Sequence, residues 1–331
     1  MNRRLAFRIL PLLLAIPLVL YLGMNVGAWE MSPGEVWERL TGPDSLKKRV
    51  LIDLRLTRVL LGMLSGAILT LGGFLMQALI RNPLADPYIM GLSAGAGLGA
   101  NLRLLGIITI GSVAFLPAYA FLGGLLALLL LFLLAFRALS GDSSKLLIAG
   151  IAVSSFFMAV TGFLIYTAQD AEDLRAVIHW SFGGFTYANW EAVGVSAGLC
   201  VLLWGAGLAL ARRLDVLALG DVQAGSLGMS TERMKILLLV LTALGVGGSI
   251  AYTGPVGFVG LMVPHFSRSI NGGLHSPNLV FGPLLGAIFL PLCDIASQAI
   301  YPPAGLPVGI LTAALGAPFF FYLLFVSKVR V

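Results

Sequence analysis

RRLDVLALGDVQAGSLGMSTERMK, residues 212–235, is a polar island in a chain of 331 residues otherwise dominated by apolar runs. Charge-free segments flank it, 192–211 before and 236–267 after. A stretch carrying this many charges of both signs belongs in water between two hydrocarbon-crossing segments. Within it Leu214, Leu217, Leu219, Val222, Leu227 and Met229 recur at roughly helical spacing. Short amphipathic helices that lie on a membrane surface or dock into a partner's groove have that pattern. A loop tucked against its own bundle has it too, and spacing alone leaves both open. Asp221 after Gly220 predicts an N-cap for a short helix over 222–229. Ser230 is the expected cap of the next span, with Glu232 in its first turn, where the helix dipole favours an acid.

The surrounding composition sets the class. The chain is 58% hydrophobic and 11% charged, with mean hydropathy +0.96, against about 25% charged residues in a typical soluble domain. It is an integral membrane protein. A helix needs about 20 residues to cross the hydrocarbon, and the apolar windows predict ten: near 5–27, 57–80, 88–107, 113–137, 144–168, 190–211, 233–252, 256–270, 279–300 and 306–327. The N-terminal run, behind Arg3, Arg4 and Arg8, reaches spanning length and is expected to stay as the first helix rather than be cleaved as a signal. With both termini on one side, that side holds 13 of the 21 basic residues and 5 acids; the other holds 8 basic residues and 9 acids. The Lys/Arg bias makes the first side, with residues 212–235, cytoplasmic. The net charge of +6 is this asymmetry and gives no reason to invoke nucleic acid. The lipid bilayer is the partner that composition implies.

Local signals organise the rest. Ser32, Pro33 and Glu35 predict a short surface helix near 33–40. Arg55 and Arg58 lie three apart and share one helix face at the outer mouth of the second span, where they either snorkel to headgroups or form a positive docking spot. Asn82-Pro83 and Asp86-Pro87 break the chain at the inner end of that span. Gly91, Gly95 and Gly99 recur every fourth residue, which lets a neighbouring helix approach closely. Residues 170–190 predict a short helix on the outer face, and Trp180, Tyr187 and Trp190 fit an interfacial aromatic belt. Asp294 is the one acid deep in a late apolar run, and such a carboxylate is a functional candidate. It also lies within about two turns of the outer end, so simple reach to the interface is the other reading. As a coupling carboxylate it would make the chain an ion-coupled secondary transporter.

Chemistry is sparse. Cys200 and Cys293 lie in apolar spans and suggest no disulfide framework. His179, His265 and His275 are not at metal-ligand spacing, and neither HExxH nor G-x-S-x-G occurs. None of the five lysines follows glycine as a Walker A motif requires, so the chain has no such means of gripping ATP. A multi-span protein with no nucleotide motif but an amphipathic inner loop reads as one driven by another subunit.

The blocks RLTRVLLGMLSGAILTLGGFLMQALIRNPLADPYIMGLSAGAGLG (from Arg55), LGDVQAGSLGM (219–229), TGPVGFVGLMVPHFSR (253–268) and LPVGILTAALGAPFFFYLL (306–324) closely resemble the FecCD family. These are ABC-importer permeases for iron-siderophores, haem and cobalamin. The resemblance implies a single all-α permease domain over 1–331, with about ten transmembrane helices in the type II importer fold. Inverted repeats are expected near 57–168 and 233–327, with a coupling segment near 212–232. It implies a non-catalytic subunit of the bacterial inner membrane that forms a homodimer with the pathway at the interface. Two ATP-binding subunits and a periplasmic substrate-binding protein complete the assembly. No cofactor is expected on this chain, ATP and Mg²⁺ being held by the partner subunits. Leu217, Leu219, Gly220, Asp221, Val222, Ala224, Leu227 and Gly228 then match the helices that couple to the ATPase. Ser143 and Ser144 match a cytoplasmic gate, and Arg55 and Arg58 match arginines that meet acids of the binding protein. Where relatives commonly carry an arginine after the DI of span nine and a glutamate before LPVG, this chain has Gln298 and Gly305. That departure puts the docking surface on that side in doubt.

Overall fold

The computed structural model describes residues 3–25, 33–43, 45–111, 113–135, 143–302 and 305–326. The described residues fold as helices and turns around one axis, α4 (Thr57–Ile80), in which every residue from Ser65 to Ile80 is buried. Burial all round suits its sequence, which is apolar on every face and rich in small residues. At Gly66 a side chain would collide with the Gly286 carbonyl of α14 (His275–Ile300), and at Gly286 with that of Gly66. The two helices therefore cross with their backbones nearly touching, which lipid-embedded helices do through small residues.

Around this axis lie α1 (Arg3–Asn25), α6 (Leu116–Ala135), α7 (Ser143–Thr167), α9 (Trp190–Leu217) and α15 (Val308–Val326), which expose large apolar side chains as a lipid-facing or partner-facing layer does. The expected surface helices form as α2 (Pro33–Thr41) and α8 (Ala171–Ser181). Among the described residues seven helices are long and apolar enough to cross a membrane, and Val308–Leu323 is a shorter apolar one. Two of the ten expected spans, α5 (Leu92–Leu104) and α13 (Val259–Asn271), have only 13 residues each, about 20 Å at 1.5 Å per residue.

Three boundaries depart from the sequence expectation. The second span begins well before residue 57: α3 (Leu46–Arg49) and a π-helical stretch (Val50–Leu56) run straight into α4. The sixth continues to Leu217, because Leu214 and Leu217 are buried while Arg212 and Arg213 stay on its exposed side. The seventh is interrupted: α11 (Thr231–Thr242) passes through a π-helical stretch, Ala243–Gly247, into α12 (Gly248–Thr253).

Both short helices follow breaks. After Ile80 the chain turns at Arg81, in the left-handed region at φ 57°, and climbs back through a 3₁₀ turn, Pro87–Met90. Asp86 caps that turn by accepting from the Tyr88 N–H at 2.8 Å. Pro87 ends beside Gly72, eight residues or ~12 Å up α4. From the other side, residues 254–258 leave α12 unwound and restart helix at Phe258, φ 69°. There the Gly260 carbonyl lies directly against Gly73. The breaks meet: the Tyr88 hydroxyl donates to the Val256 carbonyl at 3.0 Å and accepts from the Val256 N–H at 2.9 Å. Unpaired backbone at such depth is tolerated only where protein covers it, and Pro87, Gly254 and Val256 are buried.

Candidate functional site

Long-range contacts sort the helix ends into two sets. At one end Arg8 of α1 donates to Asn271 of α13 at 3.0 Å, and His275 of α14 meets Asp215 of α9 at 2.6 Å through its ring and 2.9 Å through its backbone N–H. Arg81, just past α4, pairs there with Asp221. At the other end Arg55 donates to the Met24 carbonyl at 2.7 Å, Trp190 to Asp53 at 3.0 Å, and Arg58 to Asp294. The polar segment after α9 therefore shares an end with Arg8, Arg81 and the start of α11.

That segment folds as α10 (Asp221–Ser226), narrower than the expected 222–229. Its N-cap is Gly220, not Asp221, and the Asp221 side chain is used elsewhere. Its Oδ2 accepts from Arg81 at 3.0 Å and from Lys235 Nζ at 2.9 Å. Lys235 is only 2% exposed, and a buried ammonium needs such a partner. One carboxylate thus ties α10 to α11 and to the end of the axial helix. Gly220 has to be glycine: φ is 111°, and a side chain there would meet Gln223 at 2.8 Å and Arg81 at 3.3 Å. Ser230 stands at the N-cap of α11 without a side-chain capping bond.

The apolar residues of the segment divide by burial. Leu217 and Ala224 are fully buried and anchor it, whereas Leu219, Leu227 and above all Val222, 82% exposed, face outward. Gly228, at φ 83°, turns the chain toward α11. The result is a small helix bolted to the bundle on one side and presenting apolar side chains on the other.

At the opposite end Arg58 grips Asp294 through two bonds of 2.8 Å, and Gln298 donates to the same carboxylate at 2.9 Å. Asp294 is 4% exposed; its charge is compensated by a bidentate arginine. Gly305, at φ 71°, lies against Gln298, so the two positions that depart from the family pattern adjoin one another beside this pair. Arg55 and Arg58 both spend hydrogen bonds within the chain. Of the glycines singled out for close packing, Gly95 backs onto the Gly123 carbonyl and Gly99 onto that of Tyr119, both on α6, while Gly91 takes φ 82° beside Val153 of α7. The side chains of Ser143 and Ser144 lie outside the described residues. Sequence reading overlooked Arg81, Lys235 and Tyr88 as structural partners, as well as the α4–α13 link in which Arg268 reaches Gln77 and lies 5.4 Å from the Phe74 ring centre.

The fold is that of a polytopic helical membrane protein with a buried axial helix and a short, partly apolar helix projecting at one end. Residues 13–326 match the FecCD transport family. The chain is 36% identical over 329 residues to the hemin transport system permease protein HmuU of Yersinia pestis, covering 98% of this chain and 97% of that one. It is 38% identical over 275 residues to the Fe(3+) dicitrate transport system permease protein FecD of Escherichia coli K12 (83% and 85%). With the cobalamin import system permease protein BtuC of Halobacterium salinarum it is 35% identical over 331 residues (96% and 87%). Among solved structures it resembles a chain of a metal-chelate type ABC transporter in an inward-facing conformation, at 29% identity and TM-score 0.85, covering 96% and 98% of the two chains. The chain belongs to the FecCD transport family and is a permease of the ABC-importer kind, a multi-pass transport subunit.

Proposed function

We propose that this chain carries a bulky metal chelate (an iron-siderophore or haem) or a cobalamin across the inner membrane as half of a homodimer. Two ATP-binding subunits drive it and an extracytoplasmic binding protein supplies the cargo. The reading includes ten crossings, with α5 and α13 counted as short ones, and both termini in the cytoplasm. It also takes the two halves, each with a broken, 13-residue helix after a left-handed residue, as inverted repeats. The observation that carries it is α10: a short helix held by Asp221 between Arg81 and the buried Lys235, with exposed Val222 on it and exposed Leu219 and Leu227 at its two ends. A partner gripping Val222 and Leu227 would pull on α4 and α11 together. ATP-driven closure of the partners would then rock the two permease copies and open the pathway between them by turns.

Arg55 and Arg58 remain the candidate contacts for the binding protein, with Arg58 acting through its pair with Asp294. An ion-coupled mechanism at Asp294 has no observation in its favour, since that carboxylate is already neutralised by Arg58. Reconstitution tests the reading: proteoliposomes holding the chain with its ATP-binding subunits and binding protein, assayed with haemin, ferric citrate and cyanocobalamin. ATP-dependent uptake of one of these is expected. Uptake by the chain alone, without ATP, would overturn it.

A further inference from the structure

Beside α10 lies a groove of about 480 Å³ between the exposed side of the α9 end and the start of α11, which shares Leu227 and Gly228 with the coupling segment at its rim. Three guanidinium groups border it, those of Arg212, Arg213 and Arg233, all exposed. None has an ion-pair or hydrogen-bond partner among the described residues: Asp215 is paired with His275 and Asp221 with Arg81 and Lys235, while Glu232, next to Arg233, is not among the residues that line the groove. Apart from Ser230 the rest of the groove is lined by glycine and apolar residues, Val216, Met229 and Leu237 among them.

The apolar lining does not stop there. Arg233, Leu237 and Val240 are spaced i, i+4, i+7 on α11, share one face and are all exposed. Val240 in turn lines a second groove of about 290 Å³, formed by apolar side chains of α6, α7 and α11 that include Leu129, Phe132 and Ile236. The cationic groove faces α9 and the apolar one faces α6 and α7; they share no lining residue, and the exposed side chains of Leu237 and Val240 form the apolar track across α11 between them.

We infer that this track holds an anionic phospholipid. Its phosphate is taken by Arg212, Arg213 and Arg233, and one acyl chain lies along Leu237 and Val240 into the groove against α6. Guanidinium groups match phosphate oxygens in planar, bidentate fashion, and an aliphatic chain suits the track because, among the described residues, no carboxylate or lysine lines it. The inference rests on the reading above only in placing this end at the inner leaflet. Lipid seated here would brace the end of α9 and the start of α11, the two elements between which α10 hangs.

The test is native mass spectrometry of the purified permease after exchange from mixed phosphatidylcholine–phosphatidylglycerol vesicles. The wild-type chain is expected to retain phosphatidylglycerol selectively. The triple variant Arg212→Gln, Arg213→Gln, Arg233→Gln should lose roughly tenfold or more in that retention, and Lys145→Gln should lose none. Val240→Trp, which fills the track and leaves every charge in place, should lower retention independently, so that misfolding of the triple variant would not leave the matter open. Undiminished phosphatidylglycerol on both the triple variant and Val240→Trp would overturn the inference. So would competition by inorganic phosphate alone, or a triple variant that keeps its lipid and sheds the ATP-binding subunit, which would make the groove a protein contact. Retention is read without ATP or cargo, so failure of ATP-driven uptake and failure of lipid binding are separate results.

Discussion

Asp221 is a residue whose neighbours in sequence and in space give different answers. After glycine and before a short amphipathic run it looks like a helix cap, but its carboxylate goes instead to Arg81 and Lys235, 140 and 14 residues away. A local hydrogen bond worth about 1 kcal/mol yields to a buried ammonium whose unpaired cost is several times that. Asp221→Ala should therefore destabilise the chain by roughly 3–5 kcal/mol, read as a fall in detergent melting temperature. Pairing Asp221→Asn with Lys235→Met should recover most of that loss, because no buried charge is left bare. A double variant as unstable as Asp221→Ala would show that the ion pair is not what matters. Arg58 and Asp294 teach the same lesson at the far end: 236 residues separate them, and no local pattern announces that each satisfies the other. What residue-level reading did find was the backbone punctuation, the prolines of 82–87 and the glycines of 91–99, because those constraints act over one or two residues.

At the scale of elements, the apolar periodicity of 212–235 was legible but its partition was not. Leu214 and Leu217 share a helical stripe with Val222 and Leu227 on paper, yet the first two continue α9 into the core while the others are exposed. Arg212 and Arg213 do not end α9, since they point away from the buried side of a helix that runs past them. This separation makes an experiment. Val222→Asp and Leu227→Asp should leave folding and dimerisation intact and abolish ATP-driven uptake, whereas Leu217→Ala should cost about 2–5 kcal/mol of stability. Normal transport by both exposed-face variants would remove α10 from the coupling role. Tight helix crossing was likewise visible in the glycine spacing, though its partner was not: Gly95→Leu has no room against the Gly123 carbonyl and should separate α5 from α6, seen as loss of the monodisperse peak on size exclusion.

At the scale of the whole molecule, membrane residence followed from hydropathy, because the bilayer imposes long apolar helices on any chain that crosses it, and Arg8, Arg81 and the 212–235 segment gather at one end of the bundle as the Lys/Arg count groups them. The meeting of the two breaks at Tyr88 and Val256 could not be foreseen: it depends on two segments 168 residues apart entering the bundle from opposite ends. Tyr88→Phe removes both bonds to Val256 and should lower stability by about 1–3 kcal/mol; an unchanged melting temperature would mean that the breaks are held by packing alone. Which partner α10 meets decides whether the chain is driven from outside, and one cross-linking measurement addresses that directly. With Cys200 and Cys293 replaced by serine, V222C is paired with single cysteines placed in the groove of the ATP-binding subunit, in inner-membrane vesicles. A disulfide whose yield changes on adding ATP is the expected result. Failure to form any such disulfide, with V222C labelled instead in intact cells by a thiol reagent that cannot cross the inner membrane, would contradict the account.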